Sequence, residues 1–312
     1  CLGLLPKEGV WSFYKSSHNY LPFAMGNQLK KEGYVTRAYH NHYFDYYYRH
    51  LSHPNMGYTY KGLGNGLDVT ETWPESDLEM IELTIPEFID NQPFHVYYMT
   101  VSGHLQYTFT GNYIAAKNRS LVENLPYSDR VKAYLACNIE LDRAMEKLIQ
   151  ELEKRGIADD TLIAISPDHY PYGLNLAEIS ELAGKEIKKD FELERGIFLL
   201  WSKGMEPVVI DKPCSSLDII PTLSNLMGLE YDSRLLMGRD ILSDSDPLVI
   251  FTDRSFITDK VAYNAKTDKA ISLTGEEIED SYIQEIFEKV KLKFKYSAMI
   301  LDTNYYKILF NK

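Results

Sequence analysis

Thr161-Leu-Ile-Ala-Ile-Ser-Pro-Asp-His-Tyr-Pro-Tyr-Gly173 is the stretch whose reading decides the fold. Leu162 to Ile165 is an apolar run with no polar alternation, which predicts a central strand buried on both faces, and Ser166-Pro167 ends it at once. Asp168 and His169 then leave the end of that strand, the edge at which open α/β sheets bind their ligands. A hard carboxylate beside an imidazole suits Mn²⁺, Zn²⁺ or a similar divalent ion. The plain alternative is a turn-capping Asp next to an unrelated His.

Working outward, Ser128 is a candidate N-cap, and Val131, Leu135, Leu141, Met145, Leu148, Ile149 and Leu152 follow at helical spacing until Gly156. Before it, His95 to Val101 reads as a second buried strand that runs straight into Ser102-Gly103-His104. Strand, His-bearing loop, helix, strand and Asp-His loop make a βαβ unit, parallel and right-handed by the usual rule, so His104 and Asp168-His169 are expected at one sheet edge. Upstream, Asn27 to Glu32 predicts a helix end stopped by Gly33, and Tyr34 to Tyr39 a strand. His40 to Tyr60 shows neither period and reads as a loop dense in His, Tyr and Asn, either the wall of a polar pocket or a Tyr-rich surface loop. Thr84 to Asn91 looks like a helix end. Downstream, Gly196 to Trp201 predicts a buried strand, Ser216 a cap for a helix over Leu217 to Met227, and Gly238 to Leu242 a turn with an apolar anchor. Pro247 to Leu273 alternates as an antiparallel meander, and Glu276 to about Phe294 has helical period.

The 312 residues suffice for one large α/β domain or two small ones, and no stretch approaches the apolar length that crosses a bilayer. A net charge of -12 makes long-range attraction to nucleic acid or anionic lipid unfavourable, so any positive charge that meets an anionic substrate must be local. Cys1, Cys137 and Cys214 fit neither a disulfide framework nor a zinc knuckle. The chain begins with Cys and carries no signal-like segment, which leads to the expectation of a processed or incomplete piece.

Three places therefore hold candidate chemistry: Asp168-His169, His104, and the segment with His40, His42, Tyr47 and Arg49. A metal, an imidazole and a guanidinium beside one cleft suit a tetrahedral oxyanion, the cations neutralising charge and the His bonding or protonating an oxygen. Taken singly, His104 could cap a turn and Arg49 could pair on the surface.

In order and spacing, Thr100-Val-Ser-Gly-His104, Ser166-Pro-Asp-His-Tyr170, Leu217-Asp-Ile-Ile-Pro-Thr-Leu-Ser-Asn-Leu-Met-Gly228 and Gly238-Arg-Asp-Ile-Leu242 resemble the alkaline phosphatase superfamily. The nearest branch is the sulfatase-like lipoteichoic acid synthase group of phosphoglycerol transferases. The resemblance covers most of Leu2 to Leu242. It implies an α/β/α sandwich with a mainly parallel sheet, residues 1–246 being the catalytic domain without its N-terminal strand and nucleophile segment, and residues 247–312 its C-terminal antiparallel edge and helix. It implies one divalent metal ion on Asp168 and His169, commonly Mn²⁺, with Mg²⁺, Zn²⁺ and Ca²⁺ as alternatives. It matches His104 to the family's phosphate-binding His, and His42, Tyr47 and Arg49 to its phosphoglycerol-binding segment, where Tyr47 replaces a Trp and His42 an Asp. An imidazole in place of that carboxylate favours a more anionic headgroup or a different sugar-alcohol. The family's upstream Glu and nucleophilic Thr have no match here, which places them before Cys1 and leads to the expectation that these residues alone are inactive. The complete protein is expected at the extracytoplasmic face of a bacterial membrane, held by N-terminal helices, with a glycerophospholipid donor, a glycolipid or polymer acceptor and no nucleic-acid partner. A sulfatase- or phosphatase-type hydrolase and a non-catalytic binding domain are the alternatives.

Overall fold

The helical period over residues 131–152 produces a helix at Asp129–Lys154 in the computed structural model, which describes residues 2–312. Its first half buries small residues, Ala133, Ala136 and Cys137, against Tyr107, Val122 and Leu174. Its second half buries Ala144, Leu148 and Leu152 against Tyr39, Met80, Ile81, Ile85 and Phe88. One continuous face thus serves two clusters, and it stays continuous because positions three and four apart share a face. Ser128 precedes the helix but makes no side-chain cap. Its Oγ and backbone N–H both donate to the Glu181 carboxylate, each at 2.6 Å.

That helix lies in the first of two compact units, formed by Arg37–Tyr46 and Thr59–Pro207. Its main sheet contains β1 (Val35–Tyr43), β2 (Thr59–Leu63), β3 (Gly66–Leu67) and β4 (Phe94–Met99), in the order β3-β2-β1-β4, with β1–β2 and β2–β3 parallel. The α/β class expected from sequence holds, with corrections of detail. His40 to Tyr43 are not loop but the end of β1, and Arg49–Asn55 is a short helix that contains Pro54. Asn and His have weak strand preference, and the pairing of β1 with β2 overrides it. The predicted central strand is β5 (Ile163–Ile165), which pairs antiparallel with β6 (Leu199–Trp201) in a separate two-stranded sheet. Ala164 and Leu199 are exposed rather than buried. An apolar run reports what a strand tolerates; burial depends on neighbours, and among the described residues β5 has a hydrogen-bonded strand on one side. β4 and β5 accordingly do not share a ladder as the βαβ reading required.

The second unit comprises the residues up to Thr36, Tyr47–Tyr58 and Val208–Lys312. The expected meander is present as β7 (Val249–Ile250), β8 (Phe256–Ile257), β9 (Val261–Asn264) and β10 (Lys269–Ser272), antiparallel and a sheet of its own. Ile283, Ile286 and Val290 of the helix Asp280–Thr303 cover Leu248, Phe256, Val261 and Tyr263. Farther along that helix, Ile300 joins Leu5, Phe23, Leu217 and Ile220. The helix Ile219–Leu226 is preceded by a reciprocal cap made by Ser215 and Asp218, one residue before the Ser216 expected. Cys137 is buried and Cys214 exposed, both free, and Cys1 lies outside the described residues.

In the first unit the helix Asp77–Thr84 starts at Ser76, whose Oγ accepts from Glu79 N at 3.1 Å. Asp77 is wholly buried, and its Oδ1 accepts from the N–H groups of Val101 (2.8 Å) and Ser102 (3.2 Å) and from the Asn41 amide (2.8 Å). Asp77 N donates to Ser102 Oγ at 2.8 Å, and that Oγ donates to Glu75 O at 2.9 Å. Burial pushes the Asp77 carboxyl up to about 6, against the downward pull of the Val101, Ser102 and Asn41 donors, and Oδ2 has no partner. A carboxyl raised in the folded state keeps a proton there that the unfolded chain has lost. Its contribution is full below the unfolded value of 3.8 and is lost as pH rises through about 6. Asp77→Asn, which keeps the acceptor Oδ1, should flatten this slope. Urea unfolding of both proteins at pH 4 and pH 7 should show the wild type losing about 2 kcal/mol more than the variant over that interval. Parallel pH profiles would contradict the assignment.

Candidate functional site

Asp77 fixes the segments that carry the candidate residues of the first unit. Asn41 holds β1 next to His42, and Ser102 holds the chain just before His104, whose N–H closes a turn on Val101 O at 2.9 Å. His42 Nδ1 donates to Glu75 Oε1 at 2.8 Å, and the Glu75 side chain is 2% exposed, with Oε2 left without a partner. A buried carboxylate oxygen needs a donor, and the imidazole supplies it to Oε1 and is oriented by it. His40 lies deeper, donating Nδ1–H to Met99 O at 2.8 Å.

Trp73 is the wall that the sequence reading missed. Its ring stands 5.3 Å from the ring of His42 and 5.2 Å from that of His104, and its Nε1–H donates to Leu105 O at 3.1 Å. His104 in turn lies 6.5 Å edge-on from Tyr172, and Tyr172 4.4 Å from His169. A row of rings thus connects His42, Trp73, His104, Tyr172 and His169, although β4 and β5 share no ladder. His104 Nδ1 faces Leu105 O at 3.3 Å, which leaves Nε2 as the atom that can meet a ligand.

Asp168 and His169 sit in the loop after β5, as expected, with the Asp168 side chain 88% and the His169 side chain 41% exposed. His169 Nδ1–H donates to Tyr170 O at 2.7 Å, and Nε2 faces Asp168 Oδ2 at 3.5 Å. A ring whose other nitrogen is held by a carbonyl is the usual form of a metal-bound His. The pair fits half of a metal centre. Among the described residues no group of three or more His, Cys, Asp or Glu is placed to hold an ion, whereas a tightly held metal has three or four ligands.

Tyr47 and Arg49 belong to the second unit. Tyr47 and Tyr48 adopt left-handed backbone at φ 53° and 58°, strained for side-chain-bearing residues, and the Arg49 guanidinium lies 5.5 Å over the Tyr47 ring. Trp11 packs on both tyrosines, at 5.7 and 6.0 Å, beside an open depression of about 450 Å³ lined by Gly9, Val10, Trp11, Ser12, Phe13 and Tyr47.

Residues 9–229 match the family model for sulfatase. The lipoteichoic acid synthase of Staphylococcus saprophyticus is 28% identical over 275 residues, covering 83% of this chain and 40% of that protein. The lipoteichoic acid synthase-like YvgJ of Bacillus subtilis is 25% identical over 288 residues, covering 88% of this chain and 45% of that protein. This chain therefore spans less than half the length of these curated relatives. The crystal structure of the lipoteichoic acid synthase LtaP from Listeria monocytogenes superposes with a TM-score of 0.79 at 20% identity, covering 96% of this chain and 78% of that one, a likeness of fold.

With inorganic phosphate as the probe, Trp73→Ala should weaken any binding at this row of rings about tenfold, because His42 and His104 lose their common wall, and Trp73→Phe should restore most of it. The melting temperature should move little, since Trp73 is 40% exposed. Calorimetric titration checks both, and unchanged affinity in the Ala variant would remove Trp73 from the site.

Proposed function

Because the chain belongs to the sulfatase family, within the alkaline phosphatase superfamily, we propose that the complete protein transfers phosphoglycerol from a phosphatidylglycerol-like lipid to a glycolipid or polymer acceptor outside a bacterial membrane. The observation that carries this reading is the row of rings from His42 through Trp73 and His104 to His169, which brings the residues of separate motifs together. In this reading His104 Nε2 bonds a phosphoryl oxygen. His42, held from behind by Glu75, meets the headgroup hydroxyls or charge where the resembling family has a carboxylate. The resemblance also gives Arg49 and Tyr47 to the headgroup, and their guanidinium–ring pairing is consistent with that role. Asp168 and His169 would hold a divalent ion, Mn²⁺ by resemblance, which when bound would supply charge neutralisation. The nucleophile and further ligand are assigned to the complete protein, so residues 1–312 alone are proposed to bind the headgroup without turning it over.

Anchoring of the complete protein belongs to the same proposal. Among the described residues no helix is long and apolar enough to cross a membrane.

In the complete protein, His104→Ala should lower release of diacylglycerol from a fluorescent glycerophospholipid by on the order of 10²- to 10³-fold, as loss of one transition-state donor does. Metal content should be retained. Asp168→Asn should instead lower metal content together with activity. Glycerol phosphate appearing free, with none joined to an acceptor, would replace transfer by hydrolysis. Full activity in both variants would overturn the site.

A further inference from the structure

The Gly238-Arg-Asp-Ile-Leu242 motif has no part in the site described above, yet it is built with unusual closeness. A Cβ on Gly238 would lie 2.0 Å from Leu217 O, so only glycine permits this approach of the loop to the turn before the helix Ile219–Leu226. Arg239 N donates to Asp218 Oδ1 at 2.9 Å. From the helix Asp280–Thr303, Lys293 donates Nζ to Met237 O at 2.6 Å. Arg239 and Lys293 therefore issue from one tightly held knot, both half-buried, with exposed Lys289 one helical turn before Lys293.

Three cations gathered in a chain with 45 acidic and 33 basic residues should find carboxylates readily. Among the described residues none of the three makes an ion pair. Asp218 and Asp246 both act on Arg239, and Asp218 on Lys293, but Asp218 Oδ1 is taken by Arg239 N and Oδ2 by Ser215 N at 2.7 Å, and Asp246 makes no ion pair with either cation among the described residues. Burial, helped by Arg239 and Lys289, pushes the Lys293 ammonium down to about 8, and burial also lowers Arg239. Half-buried charges are ordinarily paired, and a guanidinium fork beside an ammonium matches a tetrahedral oxyanion.

We propose that Arg239 and Lys293, with Lys289 at the rim, form an anion site for a phosphate ester. The site lies wholly within the second unit and does not depend on the reaction proposed for the histidines. The same chemistry is offered by a phosphodiester of a soluble polymer and by a lipid headgroup, and separate probes distinguish them.

The test follows the Lys293 side-chain resonance through a pH titration with and without inorganic phosphate, alongside calorimetry with glycerophosphoglycerol and flotation with phosphatidylglycerol-containing phosphatidylcholine vesicles. Phosphate should raise the Lys293 midpoint from near 8 by on the order of one unit. Arg239→Gln and Lys293→Met should each weaken phosphate binding at this site about tenfold or more, and His104→Ala should leave it unchanged. Lys293→Met keeps the aliphatic stem, and thermal melts confirm that each variant is folded. Diester binding lost in both variants supports a soluble or polymer-borne phosphate; vesicle binding alone, lost in both, supports a lipid headgroup. A Lys293 midpoint indifferent to phosphate, or phosphate binding abolished by His104→Ala alone, overturns the proposal.

Discussion

A single buried carboxylate oxygen, Asp77 Oδ1, with three donors converging on it, is the constraint on which the candidate site depends. Those donors come from the end of β1, from the exit of β4 and from the chain just beyond, while Asp77 itself starts a helix. Loss of this hub would release Asn41 beside His42 and Ser102 near His104 together. A neutral oxygen would bind backbone N–H groups less strongly than a carboxylate does, and the carboxylate bears a desolvation cost that shows as a raised pKa. The cost remains tolerable because the polar groups around it are arranged in advance: Ser76 caps the helix, and Ser102 Oγ relays to Glu75 O.

From that hub the side chains follow in order. Glu75 holds His42 from below, and Trp73 separates His42 from His104 while bonding Leu105 O. Tyr172 then bridges the distance to His169. In the proposed reading, these rings offer N–H donors to an oxyanion inside a chain whose overall charge repels anions. Short-range hydrogen bonds decide the chemistry here, and the net charge governs only the approach. Elsewhere in the chain, Arg239 is held through its backbone N–H by Asp218 Oδ1 and Lys293 through Nζ by Met237 O, two fixed cations outside any ion pair among the described residues.

The parts of the fold legible in the sequence are those where one period persists long enough to dominate. The helix Asp129–Lys154 and the alternating strands after Pro247 are such cases, and the motif order around His104 and Asp168-His169 was enough to identify the α/β class. The burial of β5 was not legible, because an apolar tetrapeptide carries no information about how many strands flank it. In the sequence His40 and His42 read as loop because His and Asn interrupt the pattern of β1, although a strand is what points alternate residues to opposite faces. Trp73, Glu75 and Asp77 were missed altogether. A signal was present: Ser76-Asp-Leu-Glu79 has the spacing of a capping box before an apolar run, and would have fixed the start of that helix and drawn attention to the residues before it.

The central claim is that His42, His104 and His169 are parts of one phosphate-ester site organised around Trp73. Imidazole proton–nitrogen NMR during titration with glycerol phosphate tests it most directly, because the chain has 8 histidines and each can be assigned by substitution. The account predicts saturable shifts at His42, His104 and His169 that follow one binding curve, with His18 and His95 unmoved. Shifts confined to His18 or His95, or separate curves for His42 and His104, would contradict it.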